Sequence, residues 1–253
     1  MDIPGYKKSF DVEFINTDFL RELKLSSLFG MIQEAAGPAS EELGFGFTLM
    51  RERFNAAWIL TRVRVDIARP AMWGDRIVVE TWNRSHSRAT FERDFIVWGE
   101  DGRRLASAVT KWVVLDVDTR AMLSAADFGF HEQDFDMPRA IEGKLGRIRA
   151  PENLTDAYER AIGYSDVDVN GHVNNARYVD FAMDALPLEY HREHAVKSIE
   201  LGYVSESHAG ETITLRRAAV KDAPGAVYIE GANPSTAATV FRAQLTMERR
   251  GEG

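Results

Sequence analysis

Apolar residues recur at every second position in several runs of this chain, and each such run predicts a strand with one buried face. Phe10, Val12 and Phe14 alternate with Asp11 and Glu13, predicting a strand over residues 6–18. Val63, Val65 and Ile67 alternate with Arg62, Arg64 and Asp66 until Pro70 ends the run. Ile77, Val79 and Thr81 follow, then Phe91, Phe95 and Val97, and Glu100-Asp101-Gly102 predicts a hairpin turn into a strand over 105–117. The second half repeats the pattern at Ile199/Leu201/Tyr203, Ile213/Leu215, Val227/Ile229 and Phe241/Ala243/Leu245/Met247. Two stretches carry the helical period instead. Leu28, Ile32 and Ala35 share a face behind a Ser26 or Ser27 cap, and Gly37-Pro38 predicts a break with Pro38 opening a short second helix through Leu43-Gly44. Tyr178, Phe181, Ala182 and Ala185 predict a helix over 176–186, stopped by Pro187. Residues 126–150 lose both periods and predict a linker between an N-terminal domain (1–125) and a C-terminal domain (151–253).

Strand, helix and several strands thus occur twice, which predicts an α+β fold of two similar halves, each a long helix wrapped by an antiparallel sheet. A gapless shift of 150 overlays Asn16 on Asp166, Asp18 on Asp168 and Leu28 on Tyr178, while Asn170 and His172 meet Leu20 and Glu22. A shift of 136 overlays Gly74-Asp75 on Gly210-Glu211. One half therefore carries polar groups that the other lacks.

Those groups lie between Tyr164 and Tyr178. Asp166, Asp168, Asn170 and His172 alternate with Val167, Val169 and Gly171, so an extended backbone would place the four polar side chains on one face. Gly171 permits a sharp turn, and Asn174 and Asn175 suit a helix start. The N–H groups of Val173, Asn174 and Asn175 are then candidates for holding an oxyanion. Composition narrows the chemistry. The chain has 253 residues, 45% hydrophobic and 28% charged, which suits a globular protein with a substantial core. With no cysteine there is no thiol nucleophile, thiolate metal site or disulfide. His191 and His194 lack a third metal ligand nearby, and no Gly-x-Ser-x-Gly elbow occurs. A net charge of −8 argues against nucleic acid as a partner. No apolar run of membrane-spanning length and no targeting segment is seen, so a cytoplasmic location is expected.

Asp168-Val169-Asn170-Gly171-His172-Val173-Asn174-Asn175 resembles the signature of the hotdog-fold acyl-[acyl-carrier-protein] thioesterases of plants and bacteria. Trp58-Ile59-Leu60-Thr61-Arg62, Trp73-Gly74-Asp75, Thr110-Lys111-Trp112-Val113 and Asp118-Thr119-Arg120 are similar to that family's first half, and the resemblance runs from about Tyr6 to Glu248. It implies a double hotdog with one active site, in the second half, that hydrolyses fatty acyl thioesters without a cofactor or metal. Asp168 and Glu206 would serve as carboxylate base or nucleophile, Asn170 would hold the carbonyl or the water, and His172 would donate to a carboxylate or protonate the leaving thiolate. Ser207 stands where the plant pattern Tyr-x-x-Glu-Cys has cysteine, a departure that favours water over a side-chain nucleophile. The implied partner is acyl-carrier protein, which is acidic. Residues 51–120 hold 13 Lys+Arg against 10 Asp+Glu, making Arg62, Arg64 and Arg69 candidates for docking it, with Arg76, Arg84, Arg88, Arg103 and Arg104 nearby in sequence. Alternatives are an acyl-coenzyme A thioesterase and a non-catalytic acyl-thioester sensor. A hotdog hydratase is disfavoured, because its Asp-x-Asn-Pro-x-His spacing is absent. Monomer and homodimer both remain open.

Overall fold

A computed structural model describes residues 5–87, 89–130 and 138–251. The chain forms two compact units, Met1–Leu145 and Gly146–Gly253. In the first, strands β1 (Tyr6–Asp11), β2 (Ala56–Ile67), β3 (Arg76–His86), β4 (Phe91–Gly99) and β5 (Arg104–Asp116) form an antiparallel sheet in the order β1-β3-β4-β5-β2. A two-residue strand β6 (Met122–Leu123) pairs with β5. Helix α1 (Leu25–Glu42) lies on β1 and β3, and α2 (Phe47–Phe54) on β2. Period two has the expected cause here: Val63, Val65, Ile77, Val79, Phe95 and Val97 are all buried. The predicted hairpin forms at Gly99–Arg103, with Gly102 at φ +72.

Two expectations fail in this unit. The first strand ends at Asp11, and Phe14 is 74% exposed within a 3₁₀ turn over Phe14–Asn16. Val12 N–H donates to Asp75 O and its carbonyl accepts from Gly74 N–H, while the Asn16 side chain accepts from Glu13 N–H and closes the turn. The second failure is at Pro38, which lies inside one continuous helix rather than starting another. A proline there leaves the carbonyl of Glu34 without its helical donor. Lys8 Nζ sits 3.5 Å from that carbonyl and 3.1 Å from the Glu34 carboxylate, partly replacing the lost bond.

The second unit holds β7 (Thr155–Ala161), α3 (Arg177–Asp184), α4 (Leu188–Glu193), β8 (His194–Tyr203), β9 (Thr212–Ala219), β10 (Ala226–Ala232) and β11 (Thr239–Arg249). Its antiparallel sheet runs β8-β11-β10-β9-β7. Tyr178, Phe181, Ala182 and Ala185 form the buried stripe of α3, which packs on β10, and Pro187 divides the helical run. Strand β7 has almost no buried side chain, so no period-two signal marked it. Ala125 and Phe128, at the edge of the stretch without periodicity, are buried in the first unit's aromatic cluster with Phe91 and Met50. Each unit is a helix laid across a curled antiparallel sheet, so the chain is a tandem hotdog.

Candidate active site

Residues 164–176 do not run extended. Tyr164–Asp166 make a 3₁₀ turn, Val167 and Val173 bridge as an antiparallel pair, and the chain reverses between them. Asp168 N–H donates to His172 O at 3.0 Å, Gly171 N–H donates to Asp168 O at 3.0 Å, and Gly171 has φ +80. The four alternating polar residues therefore do not share a face. Asp166 is buried at 2% exposure, where its carboxylate accepts from Gly163 N–H at 2.9 Å and Arg160 Nη2 at 2.7 Å. Burial pushes its carboxyl up, but the Gly163 N–H, Arg160 and Arg177 outweigh that and hold it below the ordinary carboxylate value. Val169 points outward, and Asn170 sits exposed at the tip. Period two here came from a turn whose carboxylates cap it, not from a strand.

Asp168 is half-buried and oriented. Its carboxylate accepts from Asn170 N–H at 2.8 Å and from Asn174 Nδ2 at 3.2 Å. The Asn174 side-chain Oδ1 in turn accepts from Ala176 N–H at 2.9 Å, and its backbone carbonyl accepts from Arg177 N–H at the start of α3. His172 is half-buried, with Nδ1 3.4 Å from Val173 O, a long contact that only a protonated Nδ1 can make. The oxyanion expectation fails at two of three positions. Val173 N–H is spent on Ser207 O at 2.8 Å and Asn174 N–H on Asp166 O at 2.9 Å, because both are needed to hold the reversed loop. The carbonyl of Asn175 accepts from the Tyr203 hydroxyl.

The segment carrying Glu206 and Ser207 is tied to this loop twice, by Val173 N–H to Ser207 O and by His208 Nδ1 to Gly171 O at 3.2 Å. His208 was not singled out from the sequence, where nothing in its surroundings marks it. Glu206 is exposed, whereas Ser207 is fully buried. Ser207 Oγ and the Tyr178 hydroxyl are both buried without a hydrogen bond of good geometry. Burial pushes the Tyr178 phenol up to about 12, against the nearby Ser207 hydroxyl and backbone. The loop thus brings Asp168, His172 and the Glu206–His208 segment together, with Asn170 at its rim.

The same backbone recurs 150 residues earlier. Asp18 N–H donates to Glu22 O at 2.9 Å, Arg21 N–H to Asp18 O at 3.0 Å, and Lys24 N–H to Asn16 O at 2.9 Å. Arg21 takes the glycine's place at φ +63, and Thr17 bridges Leu23. Leu23 N–H donates to Ala71 O as Val173 N–H does to Ser207 O, in agreement with the shift of 136.

The arginines proposed for docking are mostly matched by acids. Arg64 pairs with Asp66, Arg69 and Arg103 with Asp101, and Arg76 with Asp11. Arg84 is buried against Glu92 and Asp94, Arg104 lies over Trp98, and Arg62 is half-buried. Arg88 lies outside the described residues. His191 and His194 contact the carbonyls of Met183 and Tyr190, and no group of three metal-binding side chains occurs among the described residues.

A tandem hotdog with one polar loop per unit, and an amide and an imidazole beside the carboxylate in the second loop alone, defines a class of hotdog proteins with a single candidate site. Residues 4–127 match the acyl-ACP thioesterase N-terminal domain and residues 152–243 the acyl-ACP thioesterase C-terminal domain. The chain belongs to the acyl-ACP thioesterase family. It is 26% identical over 227 residues to oleoyl-acyl carrier protein thioesterase 2 of Arabidopsis thaliana, covering 83% of this chain and 61% of that protein. It is likewise 26% identical to the oleoyl-acyl carrier protein thioesterase of Coriandrum sativum, covering 92% and 68%. The chain thus spans about three-fifths to two-thirds of these relatives' length. Among solved structures, an acyl-ACP thioesterase from Bacteroides thetaiotaomicron superposes with TM-score 0.84 at 25% identity, covering 96% of this chain and 97% of that one. The 12:0-ACP thioesterase of Umbellularia californica shares the fold, with TM-score 0.79 at 20% identity over 97% and 98% of the two chains.

Proposed function

We propose that this protein hydrolyses fatty acyl-[acyl-carrier-protein] thioesters to a free fatty acid and the carrier's thiol, in the cytoplasm and in the service of fatty acid synthesis. The observation that carries the reading is the oriented Asp168 carboxylate in a loop bound at two points to the segment bearing Glu206. In this reaction a carboxylate takes a proton from water as the water oxygen bonds to the thioester carbon. Collapse of the tetrahedral intermediate breaks the C–S bond, and the departing sulfur takes a proton from His172. Asp168 is the favoured base, because two donors fix its direction, while Glu206 supplies a second carboxylate at the rim. With Val173 and Asn174 N–H groups committed to the loop, stabilisation of the oxyanion falls to side-chain donors, Asn170 first among them. Water is the nucleophile rather than Ser207, whose burial and lack of an adjacent base leave it unactivated. Arg62 is proposed to contribute to carrier docking, with Arg64 and Arg69 weakened by their own carboxylate partners.

The test is release of free fatty acid from matched acyl chains delivered on carrier protein and on coenzyme A. Faster turnover per unit concentration from the carrier protein supports the proposal. Equal or faster turnover from coenzyme A would replace the carrier, and no release from either would remove the hydrolase reading.

A further inference from the structure

Arg93 lies on β4 facing the last turns of α1, and only 6% of its surface is exposed. Its guanidinium donates to Ser40 Oγ at 3.2 Å and to Thr81 Oγ1 at 3.4 Å. Both acceptors are neutral, and each is held by its own donation: Ser40 to Ala36 O and Thr81 to Asp94 O, both at 2.9 Å. Among the described residues no carboxylate pairs with Arg93. Burial alone pushes its pKa down to about 10, with no acid acting against it. Arg84 makes the contrast clear. Equally buried, it has Glu92, Asp94 and the Ile141 carbonyl around it. A guanidinium buried without a counter-charge is costly, and retaining one calls for an anion to complete it.

Arg93 also borders open space. It lines a cavity of about 310 Å³ together with Tyr6, Ala39, Leu43, Thr81 and Asn83, with exposed Glu42 at its rim. The guanidinium's planar fork of donors matches a carboxylate. A single positive charge balances one carboxylate, whereas a phosphate dianion would leave excess negative charge beside Glu42. Ala39, Leu43 and the Tyr6 ring offer an apolar wall for the rest of the molecule.

We infer that this cavity is a binding site for a monocarboxylate with a short apolar body, its head group on Arg93 and its body against Ala39 and Leu43. The inference does not depend on the proposed hydrolysis, because binding is measured without turnover.

Calorimetric titration of the full chain with octanoate, octanamide and inorganic phosphate tests it. Octanoate should bind saturably, and Arg93→Met should weaken that binding at least tenfold while leaving octanamide unaffected. Phosphate should give no saturable binding dependent on Arg93. Leu43→Trp, which fills the apolar end and keeps the charge, should also weaken octanoate at least tenfold, and it decides the matter if Arg93→Met does not fold. Unchanged octanoate affinity in either folded variant overturns the site. Phosphate binding as tight as octanoate's, and lost with Arg93, overturns the monocarboxylate class.

Discussion

Asp168→Asn separates the chemistry of the loop from its architecture. The new amide keeps an oxygen for the Asn170 N–H, now at 2.8 Å, but turns its NH₂ toward Asn174 Nδ2, the donor at 3.2 Å. Asn174 cannot flip in response without giving up the Ala176 N–H it caps. The structural loss is therefore about one hydrogen bond, ~1 kcal/mol, or a few degrees in Tm for a chain of this size. If that were all, the enzyme would stay folded and turnover would be nearly unchanged. Removing the base should cost at least a hundredfold, about 2.7 kcal/mol. Two controls divide these terms. Asn174→Ala removes the same hydrogen bond while keeping the carboxylate, and should lower kcat less than tenfold. Asp18→Asn sits in the same backbone, where one oxygen accepts from both Leu20 N–H and Glu22 N–H, and should leave kcat unchanged. The assay is steady-state fatty acid release beside thermal unfolding for all three variants. An Asp168→Asn enzyme within tenfold of the parent, or an Asn174→Ala variant equally impaired, would refute the assignment of Asp168 as base.

Ser207→Ala should keep most of the activity and its Tm, since it removes a buried hydroxyl without a good hydrogen bond; an acyl group trapped on Ser207 in a mass spectrum would reverse this. Arg62→Glu should lower kcat/KM for the carrier-protein substrate several-fold at low salt and less at high salt, and should do more than Arg64→Glu, whose charge is already matched by Asp66; equal loss on a neutral pantetheine thioester counts against docking. Asp94 gives a pH prediction. Burial, against the opposing charge of Arg84, raises its carboxyl from 3.8 to about 6, so its stabilising contribution is complete below pH 4 and is lost as pH rises through 6. Asp94→Asn should thus raise Tm at pH 7 and flatten the change between pH 4 and 6; a uniform loss of Tm at every pH would contradict it.

The sheets were legible because their inner faces are buried one residue in two, as at Val63/Val65 and Ile77/Val79. Strand β7 was not, because almost nothing on it is buried. Pro38 misled because local preference omits Lys8, which reaches Glu34 from another element. The run from Asp166 to His172 misled more instructively: turn residues that cap backbone N–H groups fall at i and i+2, the same spacing as a strand's. Asp168, Asn170, His172 and Glu206 were candidates in the sequence, and the structure bonds the loop of the first three to the segment of the fourth. Invisible there was the commitment of the Val173 and Asn174 N–H groups, which depends on contacts made across the reversal.

The recurrence of one loop backbone in both units has a bearing on how such sites change over time. The bonds common to both loops come from the main chain and from the side chains at positions 16/166 and 18/168, which accept from nearby N–H groups in each copy. At 20/170 only the main chain takes part in these bonds, so Leu20 can stand in one copy and Asn170 in the other. A substitution at 20/170 is nearly free of folding consequences, so a duplicated unit can lose this amide while it goes on serving as scaffold. The silent loop is, by the same reasoning, a ready place to install a second reactive centre.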